Sequence, residues 1–225
     1  MSIEREFGCT FCHPEQSVRL HFAEYGVARL DFVKLIETDH IFVVPDLLPI
    51  GTHVLMIIKN HKYSFAAHPD LADEVGFVHH QLESLFHTQM AFIEHGGIEN
   101  GGSNQSIYHQ HAHIIETKGL NVIQYMSDTL ESQSIEHEII FTPDSSPAVN
   151  LQHAFDNQAY LYLQQGNRGI IAHDPDNHFP SQTAQKNLSL LLEGRTLNWK
   201  QIANDHEMAK LSVQKLVELI ERCHL

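Results

Sequence analysis

In its first half the chain alternates short apolar runs with turn residues. Val18 to Phe22, Val27 to Ile36, His40 to Pro45 and His53 to Lys59 are rich in Val, Ile, Leu and Phe, and they are separated by Glu24-Tyr25-Gly26, Thr38-Asp39 and Leu48-Pro49-Ile50-Gly51. Branched and aromatic runs bounded by Gly, Pro and Asp predict strands, here a β-meander. The period then changes. Leu71, Val75, Val78, Leu82, Leu85 and Phe86 recur at helical spacing behind an acidic first turn of Asp70, Asp73 and Glu74, predicting a helix from Asp70 to Met90. Ala91 to Gly96 predicts a strand ending in a turn.

From Asn100 to Glu116 the pattern carries chemistry as well as structure. A polar loop containing Gly101 and Gly102 precedes a segment in which His109, His111 and His113 alternate with Gln110, Ala112 and Ile114. Alternation of this kind predicts a strand, and successive side chains on a strand point to opposite faces, so the three imidazoles form one row. Neutral imidazole is a nucleophile and proton carrier near neutral pH. The backbone N–H groups of Gly101, Gly102 and Ser103 offer an anion-binding concavity. The row alone is read equally well as a histidine nucleophile beside a bound phosphate or as ligands of a catalytic metal.

After the row the chain continues for about a hundred residues, more than a loop insertion needs. Gly119 to Leu130 predicts a short helix, and Ser132 to Asn150 reads as a linker or loop. Ala159 to Leu163 and Gly169 to Ala172 predict strands around the turn Gln165-Gly166-Asn167-Arg168. A helix from Phe179-Pro180-Ser181-Gln182 to Leu192 has Ser181 as its N-cap and Gly194 as its stop, and a last helix runs from Asp205 to Cys223.

Composition narrows the partners. The 225 residues are 42% hydrophobic and 19% charged, ordinary for a globular chain. No apolar run reaches transmembrane length and Met1 to Gly8 lacks a signal peptide's apolar core, so a cytoplasmic protein is expected, with no membrane partner. A net charge of −14 argues against nucleic acid and favours small substrates met by local groups. Cys9-Thr10-Phe11-Cys12 reads as metal or redox; the βαβ pattern expected beside a redox motif is not visible, and two Cys alone make only half of a zinc site. Cys223 reads as an inert or partly exposed thiol.

The string Gln105-Ser106-Ile107-Tyr108-His109-Gln110-His111-Ala112-His113-Ile114-Ile115 resembles the signature of the histidine triad (HIT) superfamily of nucleotide hydrolases and transferases, His-φ-His-φ-His-φ-φ with φ apolar. The resemblance implies an α+β fold, a HIT-like antiparallel sheet with helices on one face, over residues 1–118, with a C-terminal α/β extension over 119–225. It implies that His111 attacks the α-phosphorus of a nucleoside phosphoramidate or dinucleoside polyphosphate and forms a nucleotidyl-histidine. His109 completes the row, His113 and Gln105 position the phosphate, and Ser106 stands near the leaving group. Gly102 and Asn104 belong to the substrate loop. Gln110 departs from the pattern, being polar where the family has an apolar residue.

Some members that resemble this chain hold structural zinc through Cys-x-x-Cys, a His ending an apolar-apolar-Lys-x-His phrase, and the first triad His. Those positions are Cys9, Cys12, His61 of Ile57-Ile58-Lys59-Asn60-His61, and His109. Asp46 of Pro45-Asp46-Leu47-Leu48-Pro49 resembles the family's ribose-binding acid, one residue out of step with His53. Phe92-Ile93-Glu94-His95-Gly96 and Pro180-Ser181-Gln182 resemble phrases of a longer HIT branch, in which an Arg follows where this chain has Lys186. Sister transferases carry Gln where His113 stands, so hydrolysis is expected. The alternatives are a nucleotidyltransferase or phosphorylase, and a nucleotide-binding module without turnover. A homodimer through the helix and the strand after it is expected from the resemblance.

Overall fold

A computed structural model describes residues 34–46, 50–60, 64–97, 109–141, 146–154, 158–173, 179, 183–197 and 205–224. The strands expected at 18–22 and over most of 27–36 lie outside the described residues. Five strands come from the first half: β1 (Ile36–Glu37), β2 (Ile41–Pro45), β3 (His53–Ile58), β4 (Met90–Gly96) and β5 (His111–Glu116). Three more follow the triad: β6 (Glu138–Phe141), β7 (Tyr160–Gln165) and β8 (Arg168–His173). All eight form one sheet in the order β1-β2-β3-β5-β4-β7-β8-β6, and every pairing is antiparallel. The mixed α+β class is the expected one.

Helices cover both faces. On one face α1 (Ala72–Phe86) and α3 (Pro147–Ala154) bring Val75, Val78, Leu82 and Leu151 against Met56, Phe92, Ile114 and Tyr162. On the other, α2 (Val122–Ser132) and α4 (Thr183–Glu193) bring Ile123, Met126, Ala184 and Leu188 against Ile93, Ile115, Leu161 and Leu163. Strand neighbours thus divide between the faces, as their period of two requires. The expectation of helices on one face fits the first half, whose helix is α1, and the extension supplies the helices of the second face. The last helix, α5 (His206–His224), ties its end to the sheet: Arg222 donates to Thr52 Oγ1 at 2.8 Å and lies over the Phe86 ring. Cys223, near its end, is a half-buried free thiol.

Local chemistry explains where the element bounds differ from expectation. Helix α1 stops at Phe86 because His87 adopts a left-handed conformation with φ 52°, and Glu83 accepts the Met90 N–H at 3.1 Å as Met90 opens β4. Asn121 caps α2 by accepting from Gln124 N–H, and Asp205 caps α5 by accepting from Glu207 and Met208. The stretch expected to be a linker, Ser132 to Asn150, contains β6 and the start of α3. β6 is an edge strand whose Ile139 and Phe141 are exposed, so it lacks the buried alternation that marks a strand. No described helix is long and apolar enough to cross a membrane.

β4 is paired on both edges, with β5 and β7, so a second copy cannot add to the sheet there. Gly96 closes β4 directly opposite Tyr160, and a Cβ at that position would sit 2.1 Å from a Tyr160 ring carbon. Tyr160 is fully buried and shares a 2.7 Å hydrogen bond with Ser64 Oγ, so it has little room to yield. Gly96→Ala is expected to destabilise the chain by about 1–3 kcal/mol, the range for overpacking a filled core, measured by chemical denaturation.

Candidate functional site

The triad strand β5 lies near the middle of the sheet, between β3 and β4, and the register sets its surroundings. His113 stands opposite Leu55 on β3 and Ile93 on β4, and His111 stands opposite Ile57. Ala112 and Ile114 point into the core under α1. His111 and His113 are partly exposed on the other face, with ring centroids 5.1 Å apart, beside a small apolar cluster of Val44, Leu55 and Ile57. Two of the three imidazoles expected in one row, His111 and His113, therefore share that face, and His109 stands just before β5.

Hydrogen bonds fix the state of two rings. His111 Nδ1 lies 2.9 Å from the His109 carbonyl, which can only accept, so the proton is on Nδ1 and Nε2 keeps its lone pair. Burial holds His111 well below the ordinary imidazole range, at about 3, and the neighbouring imidazoles of His113 and His109 push the same way against the His109 carbonyl and the Asp46 charge. His111 is thus neutral at physiological pH. His109 itself is buried and donates from Nε2 to the Ile58 carbonyl.

Behind His113 lies a cluster that joins three segments. Asp46 follows β2 and pairs its backbone N–H with the His53 carbonyl at the start of β3. His53 Nε2 is 3.0 Å from His113 Nδ1, and Asp46 Oδ2 is 3.2 Å from His53 Nε2 and 3.3 Å from His113 Nδ1. On the outer side of the ring, the amide of Gln185, in the first turn of α4, hydrogen-bonds His113 Nε2. The extension thus brings a side chain into direct contact with the triad.

A second polar group sits on the opposite face of the same strand. Gln110, the departure from the apolar pattern, donates from Nε2 to Glu94 Oε1, which also accepts from Phe65 N–H at 2.9 Å. Both side chains are buried. Burial raises Glu94 to about 8, although the bonds from Phe65, Tyr160 and Gln110 oppose the shift.

Of the residues singled out in the sequence, His109, His111, His113 and Asp46 fall in the described structure and lie together. Gly102, Asn104, Gln105 and Ser106 lie outside the described residues, as do Cys9, Cys12 and His61 of the expected zinc set. His109 is the one described member of that set. Its Nε2 bonds the Ile58 carbonyl. Glu94 turns away from the triad face, whereas His95 lies on it and packs against Phe179 with ring centroids 6.3 Å apart.

His53 and Gln185 join the site although neither was expected there from the sequence. His53 had a usable signal, because it alternates with Leu55 and Ile57 and so shares their buried face. Gln185 had none, since only the packing of α4 brings it to the triad.

No family model matches the chain, and no curated protein does. Among solved structures it is similar to yeast Ap4A phosphorylase Apa2, with TM-score 0.44 and 13% identity over 81% of this chain and 72% of that one. It is also similar to Apa2 in complex with AMP, with TM-score 0.45 and 12% identity over 80% and 73%. The match to Apa2 in complex with Ap4A has TM-score 0.40 and 13% identity over 79% and 73%. A likeness this remote adds nothing to the reading of the site, which rests on the residues themselves.

Proposed function

We propose that the chain is a nucleotide-processing enzyme of the histidine triad type, in which His111 carries the nucleotidyl group. The observation behind the reading is the state of His111: neutral, and protonated on Nδ1 by the bond to the His109 carbonyl, so that Nε2 is the ring nitrogen that carries the lone pair. A nucleophilic imidazole needs that form.

Nε2 attacks the α-phosphorus of a nucleoside phosphoramidate or dinucleoside polyphosphate. The bond to the amine or polyphosphate breaks, and the leaving group takes up a proton. Water then attacks the phosphorus, the phosphorus–nitrogen bond breaks, and nucleoside monophosphate departs with neutral His111 restored. Dividing the displacement in two uses imidazole as both a good nucleophile and a good leaving group. Gly102, Asn104, Gln105 and Ser106 are proposed to contact phosphate and leaving group, and Asp46 the ribose through the carboxylate oxygen other than the one that faces His53 and His113. Structural zinc on Cys9, Cys12, His61 and His109 is proposed to tie the N-terminal segment to the triad strand. A homodimer, with β4 paired on both edges, would rest on α1.

The test is product release from adenosine phosphoramidate and diadenosine tetraphosphate, with and without added phosphate. Adenosine monophosphate without added phosphate is the expected result. Adenosine diphosphate formed only with phosphate would make phosphate the acceptor and the enzyme a transferase. Nucleotide binding without turnover of either substrate would overturn the enzymatic reading.

A further inference from the structure

Asp46, His53 and His113 form a triangle whose contacts cannot all be hydrogen bonds while Asp46 is ionised. The edges are 3.0 Å between the two ring nitrogens and 3.2 and 3.3 Å from these to the carboxylate oxygen. With Asp46 ionised, its oxygen only accepts. If both facing nitrogens carry protons, both donate to Asp46 and oppose one another. If either lacks its proton, that nitrogen sets a lone pair against the carboxylate. Every arrangement places like against like along one edge, in a site where Asp46 is 10%, His53 1% and His113 12% exposed. Poorly solvated repulsion of this kind is costly.

A cation resolves the conflict, because all three atoms then present lone pairs to one centre. Tetrahedral zinc bound to nitrogen and oxygen at about 2.0–2.1 Å has ligand atoms about 3.3–3.4 Å apart, close to the observed edges. Each residue comes from a different segment: the end of β2, the start of β3 and the middle of β5. We propose that Asp46, His53 and His113 form a binding site for a divalent transition-metal ion of the zinc class, with three protein ligands and a further position open.

Gln185 supplies outer support. In the structure the Gln185 amide nitrogen bonds His113 Nε2; a metal on His113 Nδ1 places the ring proton on Nε2, and the amide then turns to present its oxygen. This site shares no ligand with the set expected at Cys9, Cys12, His61 and His109, and it does not depend on His111 being a nucleophile.

The two donor sets are separable by their ligand atoms. Metal-free full-length protein is titrated with cobalt(II) alone, and cadmium-loaded native protein is examined by cadmium NMR. Cobalt held by thiolate shows an intense near-ultraviolet charge-transfer band, which a nitrogen and oxygen site lacks. A cobalt-binding component without that band is expected in the native protein. It is expected to weaken in Asp46→Asn and in His53→Gln by more than the roughly 10- to 100-fold that follows loss of an outer-shell partner. Any thiolate-bearing component should be unchanged. Cadmium NMR is expected to show a resonance in the nitrogen and oxygen region, a readout that needs no variant to fold. Absence of that resonance, or variants that bind cobalt as the native chain does, would overturn the site.

Discussion

His111→Ala is expected to abolish nucleoside monophosphate release, with a fall in kcat on the order of 10⁴-fold or more, as when a covalent nucleophile is removed. The loss should fall on turnover rather than on binding, since the nucleotide's base and ribose need not touch this ring. The fold should survive, because the side-chain bond of His111 is to a carbonyl two residues away in the same segment. Acid-quenched native protein incubated with labelled substrate should carry phosphorus on a histidine, and the variant none. A variant that releases product at the native rate would remove His111 from the mechanism. Because burial keeps His111 at about 3, no loss of nucleophile is expected as pH falls through the ordinary imidazole range.

Much of this arrangement is legible in the sequence. Alternation in His111 to Glu116 correctly predicted a strand with the imidazoles on one face, because a period of two is a geometric property of the extended chain. The helix from Asp70 was legible for the same kind of reason, and its end was misread because the left-handed turn at His87 has no strong sequence signal. β6 was missed because an exposed edge strand is not selected for buried alternation. Long-range contacts were the least visible. Asp46 meets His113 across 67 positions only because β2, β3 and β5 are neighbours, and Gln185 meets it only because α4 packs on that face. Gln110 looked like a departure from a motif until its partner Glu94 was known, and the two anomalies account for each other.

That pair leads to the second large effect. Relative to Glu94→Gln, the native chain is expected to lose stability as pH rises from about 5 to about 8. Glu94 is fully buried, and its pKa is raised from 4.5 to about 8, chiefly by burial. The folded chain therefore holds a proton that the unfolded chain releases in that window. Stability depends on protons bound unfolded minus protons bound folded, which is negative here, so it falls with rising pH. The contribution is fully present below the unfolded value of about 4.5, declines through the window and levels off above about 8. Its full size is on the order of 3–5 kcal/mol, from about 1.4 kcal/mol for each pH unit between the two values. The titratable groups acting on the carboxyl are Tyr160 and Tyr162, both raised above the ordinary tyrosine value and so uncharged throughout. Gln in place of Glu94 keeps an oxygen to accept from Gln110 and Phe65 and cannot ionise. Urea denaturation at pH 5.5 and pH 8 checks this: the native midpoint should drop between them relative to that of Glu94→Gln, since His111 and His79, both held below the ordinary imidazole value, act alike in the two chains. Equal pH dependence in both chains would show that Glu94 is not the group that holds the proton.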